Sequence, residues 1–196
     1  MILPENKSLY PPVHSLNLKG NIVNLSTPVV MGILNVTPDS FFDGGKYQDE
    51  ESIISRTKQL IEEGALIVDV GAYSTRPNAA PVSLEEEWSR LAPTLAVINK
   101  HFPEVYVSVD TFRSEIVRRA KSDYDIALVN DISGGTFDEK LFETVAELQL
   151  PYVLMHTVGT PQEMQNNTEY ADQDVLKAVL LFLAEKVNRL RQLGVN

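Results

Sequence analysis

The feature that most constrains the fold of this sequence is a unit that occurs five times: an apolar run, a polar turn and a segment with helical periodicity. The apolar runs are rich in Val, Ile and Leu without polar alternation, which is typical of strands buried on both faces. Consecutive units of this kind predict an α/β fold with a parallel sheet and right-handed crossovers. The predicted strands span residues 29–34, 65–70, 105–109, 126–129 and 152–155.

Each predicted strand is followed by a predicted helix, and several helix ends carry recognisable signals. Ser83 precedes the second helix and Glu86 stands three residues later, which is the capping-box pattern. Gly64 and Gly194 stand where the first and last helices are expected to end, because glycine is favoured just past a helix terminus. The predicted helices begin near residues 49, 83, 114, 138 and 172.

The segment before the first unit predicts a β-hairpin. Two short alternating runs between Leu16 and Thr27 flank a Lys-Gly-Asn turn at residues 19–21. We expect this hairpin to close one end of the core. Residues 1–14 contain three prolines and little periodicity, so they predict an extended lead-in to one domain over residues 15–196.

The composition excludes several classes of partner and site. The formal net charge of -10 disfavours nucleic acid and anionic membranes as main partners, since both would repel the chain. The absence of cysteine rules out disulfides and thiolate metal sites. The sequence has no signal-peptide segment and no apolar run near the ~20 residues that span a membrane, so it predicts a soluble, cytoplasmic protein.

Polar side chains stand at the predicted end of every strand: Asn35, Asp69, Asp110, Asn130 and His156. The carboxyl ends of parallel strands share one edge, where α/β folds bind their ligands. No G-x-G-x-x-G follows the first strand, which weighs against a dinucleotide-binding sheet. The pattern therefore favours the ligand-binding rim of a (β/α)8 barrel, here incomplete, with five βα units.

The residues alone leave two interpretations open at these positions. Asn35 is either a turn residue or an oxygen ligand for a hard cation such as Mg2+. Asp110 and Asn130 either cap turns or bind a flat amidic heterocycle, since a carboxylate accepts hydrogen bonds while an amide both donates and accepts them. Thr75 and Arg76 lie either in an ordinary exposed loop or in an anion site.

These positions fall in segments that together resemble the dihydropteroate synthase family in order and spacing, from about Leu16 to the last residue. The most specific segment is Leu-Asn-Val-Thr-Pro-Asp-Ser-Phe at residues 34–41. The others are weaker singly: Ser-Thr-Arg-Pro at 74–77, Val-Asp-Thr at 109–111, Asn-Asp-Ile-Ser-Gly at 130–134, and Met-His at 155–156 with Gly-Thr-Pro-Gln at 159–162.

The resemblance implies a pterin-binding (β/α)8 barrel, a transferase of folate biosynthesis that uses Mg2+. Such enzymes condense 6-hydroxymethyl-7,8-dihydropterin diphosphate with 4-aminobenzoate to give 7,8-dihydropteroate and diphosphate. By motif position, Asn35 would meet the metal and the diphosphate, and Asp110 and Asn130 would hold the polar edge of the pterin. The other implied contacts are Thr75 and Arg76 on the diphosphate and aminobenzoate side, Ile132 and Met155 against the pterin, and Phe41 and Pro77 in closing loops.

The chain departs from the family pattern at a few loop positions and at its end. Gly-Ala-Tyr at residues 71–73 stands where Gly-Gly-Glu is usual, Asn78 where Gly is common, and Thr157-Val158 where Met and a polar residue are usual. The family's later Asp-Pro-Gly-x-Gly-Phe, Lys and Arg-x-His motifs are absent from the sequence. We therefore expect a barrel truncated before its sixth strand, impaired by itself, with a homodimer expected only at full length.

Two other functions remain open from the sequence. The absent Lys and Arg motifs are consistent with a non-catalytic pterin-binding remnant. A methyltetrahydrofolate methyltransferase barrel would share the pterin-binding residues. It is disfavoured because the loops at 34–41 and 74–77 suit diphosphate and aminobenzoate rather than a methyl carrier.

Overall fold

A computed structural model of the chain describes residues 15–37, 50–73, 81–159 and 174–195. Its main element is a five-stranded parallel sheet with the strands in chain order, preceded by an antiparallel pair. The strands are β1 (Ser15–Leu18), β2 (Asn21–Asn24), β3 (Val30–Asn35), β4 (Ala65–Gly71), β5 (Tyr106–Asp110), β6 (Leu128–Asp131) and β7 (Tyr152–Leu154); the helices are α1 (Glu50–Glu62), α2 (Leu84–His101), α3 (Ser114–Tyr124), α4 (Leu141–Glu147) and α5 (Val175–Gln192).

All five predicted βα units are present, so the prediction of a parallel α/β fold is confirmed. The predicted capping box is also present, since Ser83 Oγ accepts a hydrogen bond from the Glu86 backbone N–H at 3.1 Å. Some boundaries were wrong. Strand β6 starts two residues later than predicted and continues through Asp131, because Asn130 and Asp131 both pair with β7. Helix α4 begins only at Leu141, because Asp138 accepts from the backbone N–H of Lys140 and holds the preceding residues in a turn.

One face of the sheet packs against helices α1 to α4. The shared core contains Leu34 and Val70 from the strands and Ile53, Leu95 and Ile116 from the helices, all almost fully buried. Burying this much apolar surface is the main force holding the sheet and helices together. It also fixes the register, since a one-residue slip would turn every strand's apolar set to the wrong face.

The opposite face of the sheet is open at its edges. Leu34 is 1% exposed on the helix side, whereas its neighbour Ile33 is 58% exposed on the other side. Val153 at the other edge strand is also exposed. The expectation that every strand is buried on both faces is therefore wrong for β3 and β7. The physical reason is that, in the described part of the chain, the core of helices covers only one face and no further strand pairs with either edge.

The predicted hairpin is confirmed as β1 and β2, with Lys19 and Gly20 in the left-handed conformation that its tight turn requires. Leu18 packs with Ile67, Ala127 and Leu128, which lie near the beginnings of β4 and β6. The hairpin thus closes the amino-terminal end of the sheet, opposite the strand ends that carry polar residues. No helix in the described ranges is long and apolar enough to cross a membrane.

Candidate ligand-binding site

Four residues form a continuous row across the carboxyl ends of the strands. Asn35 pairs with Gly71, Gly71 with Asp110, and Asp110 with Asn130. Residues in register on adjacent strands point to the same face of a sheet, so the three side chains share the open face. Asn35 is exposed at the edge, while Asp110 and Asn130 are half-buried. The sequence-predicted residues Asn35, Asp110 and Asn130 are therefore brought together.

Gly71 creates the space in which these side chains converge. A Cβ atom at this position would lie 3.1 Å from Asn35 Oδ1 and 3.2 Å from Asp110 Oδ2. Both distances are tighter than ordinary van der Waals contacts, so a larger residue would push the amide and the carboxylate apart. The absence of a side chain at Gly71 lets both oxygens approach the strand end from opposite sides.

A second layer of side chains lies two residues earlier along the same strands, on the same face of the sheet. It contains Ile33, Asp69 and Ser108 in register. Asp69 is 4% exposed, and its Oδ2 accepts a hydrogen bond from Asn130 Nδ2 at 2.8 Å. Burial raises the pKa of Asp69, while Ser108 and Asn130 act in the opposite direction. Among the described residues, the bond from Asn130 is the one hydrogen bond of normal geometry to this carboxylate. Neither Asp69 Oδ1 nor Ser108 Oγ makes a hydrogen bond within the described part of the chain.

The Asp110 carboxyl lies in a region of negative charge. Burial raises the pKa of Asp110 to about 7, and the carboxylates of Asp69, Asp131 and Glu87 add to the shift. Both protonation states are therefore accessible near neutral pH. A ligand that donates hydrogen bonds to Asp110 would favour the ionised form, so ligand binding and ionisation are expected to be coupled.

The loop after β6 is held by Asp131, which is fully buried. Its carboxylate accepts from the backbone N–H of Ser133 and of Gly135, both at 2.7 Å, and from the Ser133 hydroxyl at 2.9 Å. The Tyr152 hydroxyl donates to the same carboxylate, and burial together with Asp131 raises the pKa of Tyr152. These bonds fix the backbone on both sides of the half-buried Ile132, two residues after Asn130.

An ion pair between the buried Glu87 and the half-buried Arg113 supports the loop after β5. Glu87 of α2 is 1% exposed and bonds Arg113 Nη1 at 2.5 Å and the Thr111 hydroxyl at 2.6 Å. Arg113 Nη2 also donates to the carbonyl of Val82 at 2.6 Å. The guanidinium lies 5.6 Å from the centre of the Tyr73 ring, within cation–π range. Arg113 thus connects the residues just before and just after the segment 74–80 to the strand end that carries Asp110.

Glu87 was not recognised from the sequence as a buried residue. It is the last of three consecutive glutamates at the start of α2, which is the usual composition of a solvated first helical turn. The sequence signal that could have indicated a buried glutamate was Arg113. This cation stands three positions after Asp110 and would need an acidic partner if it were buried. Which of the three glutamates it would meet depends on how α2 packs against α3.

The remaining predicted site residues lie apart from the row or outside the described residues. Met155 is 39% exposed just past the end of β7. The His156 ring packs edge-to-face on Phe182 at 4.9 Å between ring centres. Phe41, Thr75, Arg76 and Pro77 lie outside the described residues.

Comparison with known proteins identifies the family. The sequence profile described as "Pterin binding enzyme" matches residues 31–196. A folate synthesis bifunctional protein of Arabidopsis thaliana is 43% identical over 169 residues, covering 85% of this chain and 34% of that protein. The dihydropteroate synthase of Escherichia coli K12 is 41% identical over 177 residues, covering 90% of this chain and 61% of that protein. The chain thus spans less than two thirds of the length of each of these relatives.

Solved structures agree with this match. The dihydropteroate synthase of Yersinia pestis, solved with a sulfonamide drug complex, superposes with a TM-score of 0.82 at 34% identity, covering 93% of this chain and 64% of that one. The Xanthomonas albilineans enzyme with 4-aminobenzoic acid gives 0.80 at 35% identity, covering 93% and 63%. The α/β fold is therefore that of these barrel enzymes, with five of the barrel's βα units described. The chain belongs to the pterin binding enzyme family.

Proposed function

We propose that this chain forms the pterin-binding part of a dihydropteroate synthase. The observation that carries the proposal is the row of Asn35, Asp110 and Asn130 across the open strand ends of a pterin binding enzyme fold. Such a row suits a planar, hydrogen-bonding substrate better than a polymer, and the net charge of -10 argues further against a nucleic acid.

Pterin recognition is assigned to Asp110 and Asn130. The carboxylate of Asp110 accepts hydrogen bonds from ring N–H and amino groups, and the amide of Asn130 offers both an acceptor and a donor. Ile132 and Met155 supply apolar surface beside the ring. Because Asp110 is half-buried, a hydrogen bond to its charged form is worth more than one made at the surface.

Asn35 is assigned to the diphosphate side, together with Mg2+. Asn35 is exposed at the rim, and hard cations prefer oxygen ligands such as its amide oxygen while keeping several waters. The described ranges contain no cluster of three or more His, Cys, Asp or Glu side chains able to hold a metal. In the proposal Asn35 is a protein ligand of the ion beside the substrate's phosphate oxygens, and the ion would neutralise the charge of the leaving group. Thr75 and Arg76 complete this side in the proposal.

The reaction requires little acid–base chemistry from the protein. The amino nitrogen of 4-aminobenzoate forms a bond to the pterin methylene carbon as the carbon–oxygen bond to diphosphate breaks, and the nitrogen then loses a proton. The residues on the rim act by holding the ring and the diphosphate in line for attack. Positioning and charge stabilisation therefore provide most of the rate acceleration. A row of amides and a carboxylate without a catalytic triad is consistent with such chemistry.

A synthase assay tests the function directly. The 196-residue chain and a version extended at its carboxyl end to the length of its relatives would be supplied with Mg2+, the pterin diphosphate and 4-aminobenzoate. We expect dihydropteroate from the extended version and far less from the shorter chain. No product from the extended version, despite pterin binding, would favour the non-catalytic remnant; no pterin binding by either would reject the proposal.

Replacing Gly71 with Ala should weaken pterin affinity roughly tenfold while leaving the chain folded, because displacing Asn35 and Asp110 by a few tenths of an ångström disturbs their alignment. Calorimetric titration with 6-hydroxymethyl-7,8-dihydropterin would measure the affinity. Gly32→Ala is the matched control: its Cβ would lie 3.0 Å from a Leu60 side-chain carbon, in the apolar core rather than at the rim. This control should lower Tm without changing the affinity. If Gly71→Ala also kept the affinity of the unmodified chain, Gly71 would not contribute to the pterin site.

Three further parts of the proposal concern the whole protein. They are Mg2+ dependence, assembly as a homodimer at full length, and a cytoplasmic location. Omission of Mg2+ from the assay and sedimentation of the extended version would check the first two.

A further inference from the structure

We propose that Asp69 is a positioning residue for pterin recognition, which fixes the side-chain amide of Asn130 in the orientation that the ligand requires. The inference deepens the proposed function and rests on it for the identity of the ligand. It concerns a residue one layer below the rim, which has no direct role in the assignment made above.

The hydrogen bond between the two side chains determines which way the amide faces. Asp69 Oδ2 lies 2.8 Å from Asn130 Nδ2. An ionised carboxylate can only accept, so the amide nitrogen must face Asp69, and the rotated amide would place two oxygens in repulsive contact. The side-chain oxygen of Asn130, Oδ1, accepts no hydrogen bond among the described residues, whereas its backbone carbonyl accepts from the Thr111 N–H at 3.0 Å. Asp69 therefore leaves Oδ1 and the second N–H for a ligand.

The environment of Asp69 argues against a role in packing alone. The residue is 4% exposed, its Oδ1 has no hydrogen bond among the described residues, and the adjacent Ser108 hydroxyl has none either. No cation of the described chain pairs with this carboxylate. Burying a carboxylate under these conditions lowers the stability of the fold, so an apolar residue would fill the layer better.

The consequence is a defined pattern of donors and acceptors along the rim. With the amide fixed, the site presents Asn130 Oδ1 and the carboxylate of Asp110 as acceptors, and the second N–H of Asn130 Nδ2 as donor. Such a pattern selects a heterocycle that offers ring N–H and amino donors next to a ring acceptor. If the Asn130 amide were free to rotate, the site would lose this discrimination.

Two substitutions separate orientation from packing. Asp69→Leu removes the acceptor, while Asp69→Asn keeps an amide oxygen that can still accept from Asn130. Ser108→Ala is the matched control, since it changes the same buried layer without touching the Asn130 bond. The readouts are Tm, Kd for 6-hydroxymethyl-7,8-dihydropterin, and the side-chain NH2 resonances of Asn130 in 15N-labelled 196-residue chain.

We expect Asp69→Leu to keep or raise Tm, to shift the Asn130 NH2 resonances and to weaken binding by roughly tenfold or more. Asp69→Asn and Ser108→Ala should stay within about threefold of the original Kd. The proposal is overturned if Asp69→Leu leaves both Kd and the Asn130 resonances unchanged. It is also overturned if Asp69→Leu weakens binding only together with a fall in Tm, and Asp69→Asn shows the same fall in Tm. Absence of pterin binding by both the unmodified chain and the extended version would instead reject the proposed function, and the Asn130 resonances would still decide the orientation.

Discussion

Replacing Asp110 with Asn should weaken binding of the dihydropterin by about 3 kcal/mol, roughly a hundredfold in Kd. The ligand's ring N–H and amino groups would lose a charged acceptor and would face an amide that can satisfy only part of them. The half-buried position of Asp110 prevents water from replacing the lost bonds fully. Calorimetric titration of the two proteins at pH 7.5 would measure the difference.

The fold of the Asp110→Asn variant should be as stable as the original or more so. The folded-state pKa of Asp110, about 7, lies above its ordinary value of 3.8, so ionising this group at pH 7.5 costs the fold free energy that Asn does not. Weaker binding with an unchanged or higher Tm would thus exclude unfolding as the cause. Asp123→Asn, the same change at an exposed position on α3, should alter neither quantity. An unchanged Kd for Asp110→Asn would show that the pterin lies elsewhere.

The same pKa predicts the pH dependence of binding. Because the ionised form of Asp110 binds the ligand's donors and its pKa is about 7, affinity should fall as the pH drops below 7. The expected loss is roughly tenfold between pH 8 and pH 6, and Asp110→Asn should not show it.

Replacing Arg113 with Ala should cost about 3–5 kcal/mol of folding stability at pH 7, or roughly 10 °C in Tm. The cost arises because Glu87, 1% exposed, would keep its charge while losing its cation. Burial already raises the pKa of Glu87, and Arg113 partly opposes that shift. Removing Arg113 raises the pKa further, so part of the lost stability should return as the pH falls and Glu87 takes up a proton. Thermal unfolding followed by circular dichroism at pH 5 and pH 7 would test both statements.

Two control variants isolate the buried pair. The double substitution Glu87→Gln with Arg113→Ala removes the unpaired charge and should recover much of the stability lost by Arg113→Ala alone. Arg118→Ala breaks an ion pair with Glu147 on the solvent-exposed side of α3 and should leave Tm nearly unchanged. If Arg113→Ala were as mild as Arg118→Ala, the Glu87 network would not support the rim.

The parallel α/β fold could be predicted from the sequence because local signals agree with one another. Apolar runs, the Ser83 cap and the hairpin turn each depend on residues close together in the chain, and each is confirmed. Positions such as Asn35 and Asp110 could be placed on one rim for a similar reason. Parallel strands bring their carboxyl ends to one edge whatever the details of packing.

The contacts that shape the rim could not be predicted in the same way. The bond between Asp69 and Asn130 joins residues 61 positions apart, and its geometry depends on the exact register of three strands. The pairing of Arg113 with Glu87 rather than Glu85 or Glu86 depends on how α2 rotates against α3. Ile33 is exposed because no further strand pairs with its edge of the sheet in the described part of the chain, and the local sequence pattern does not indicate which strands lie beside it.

The most direct test of the central claim is a crystal structure of the 196-residue chain with 6-hydroxymethyl-7,8-dihydropterin bound. The proposed function predicts the ring at the carboxyl ends of β5 and β6, with its nitrogens and oxygen about 3 Å from the Asp110 carboxylate and the Asn130 amide. It also predicts that Asn130 Nδ2 still faces Asp69. A ring bound elsewhere, with neither Asp110 nor Asn130 in contact, would contradict the assignment.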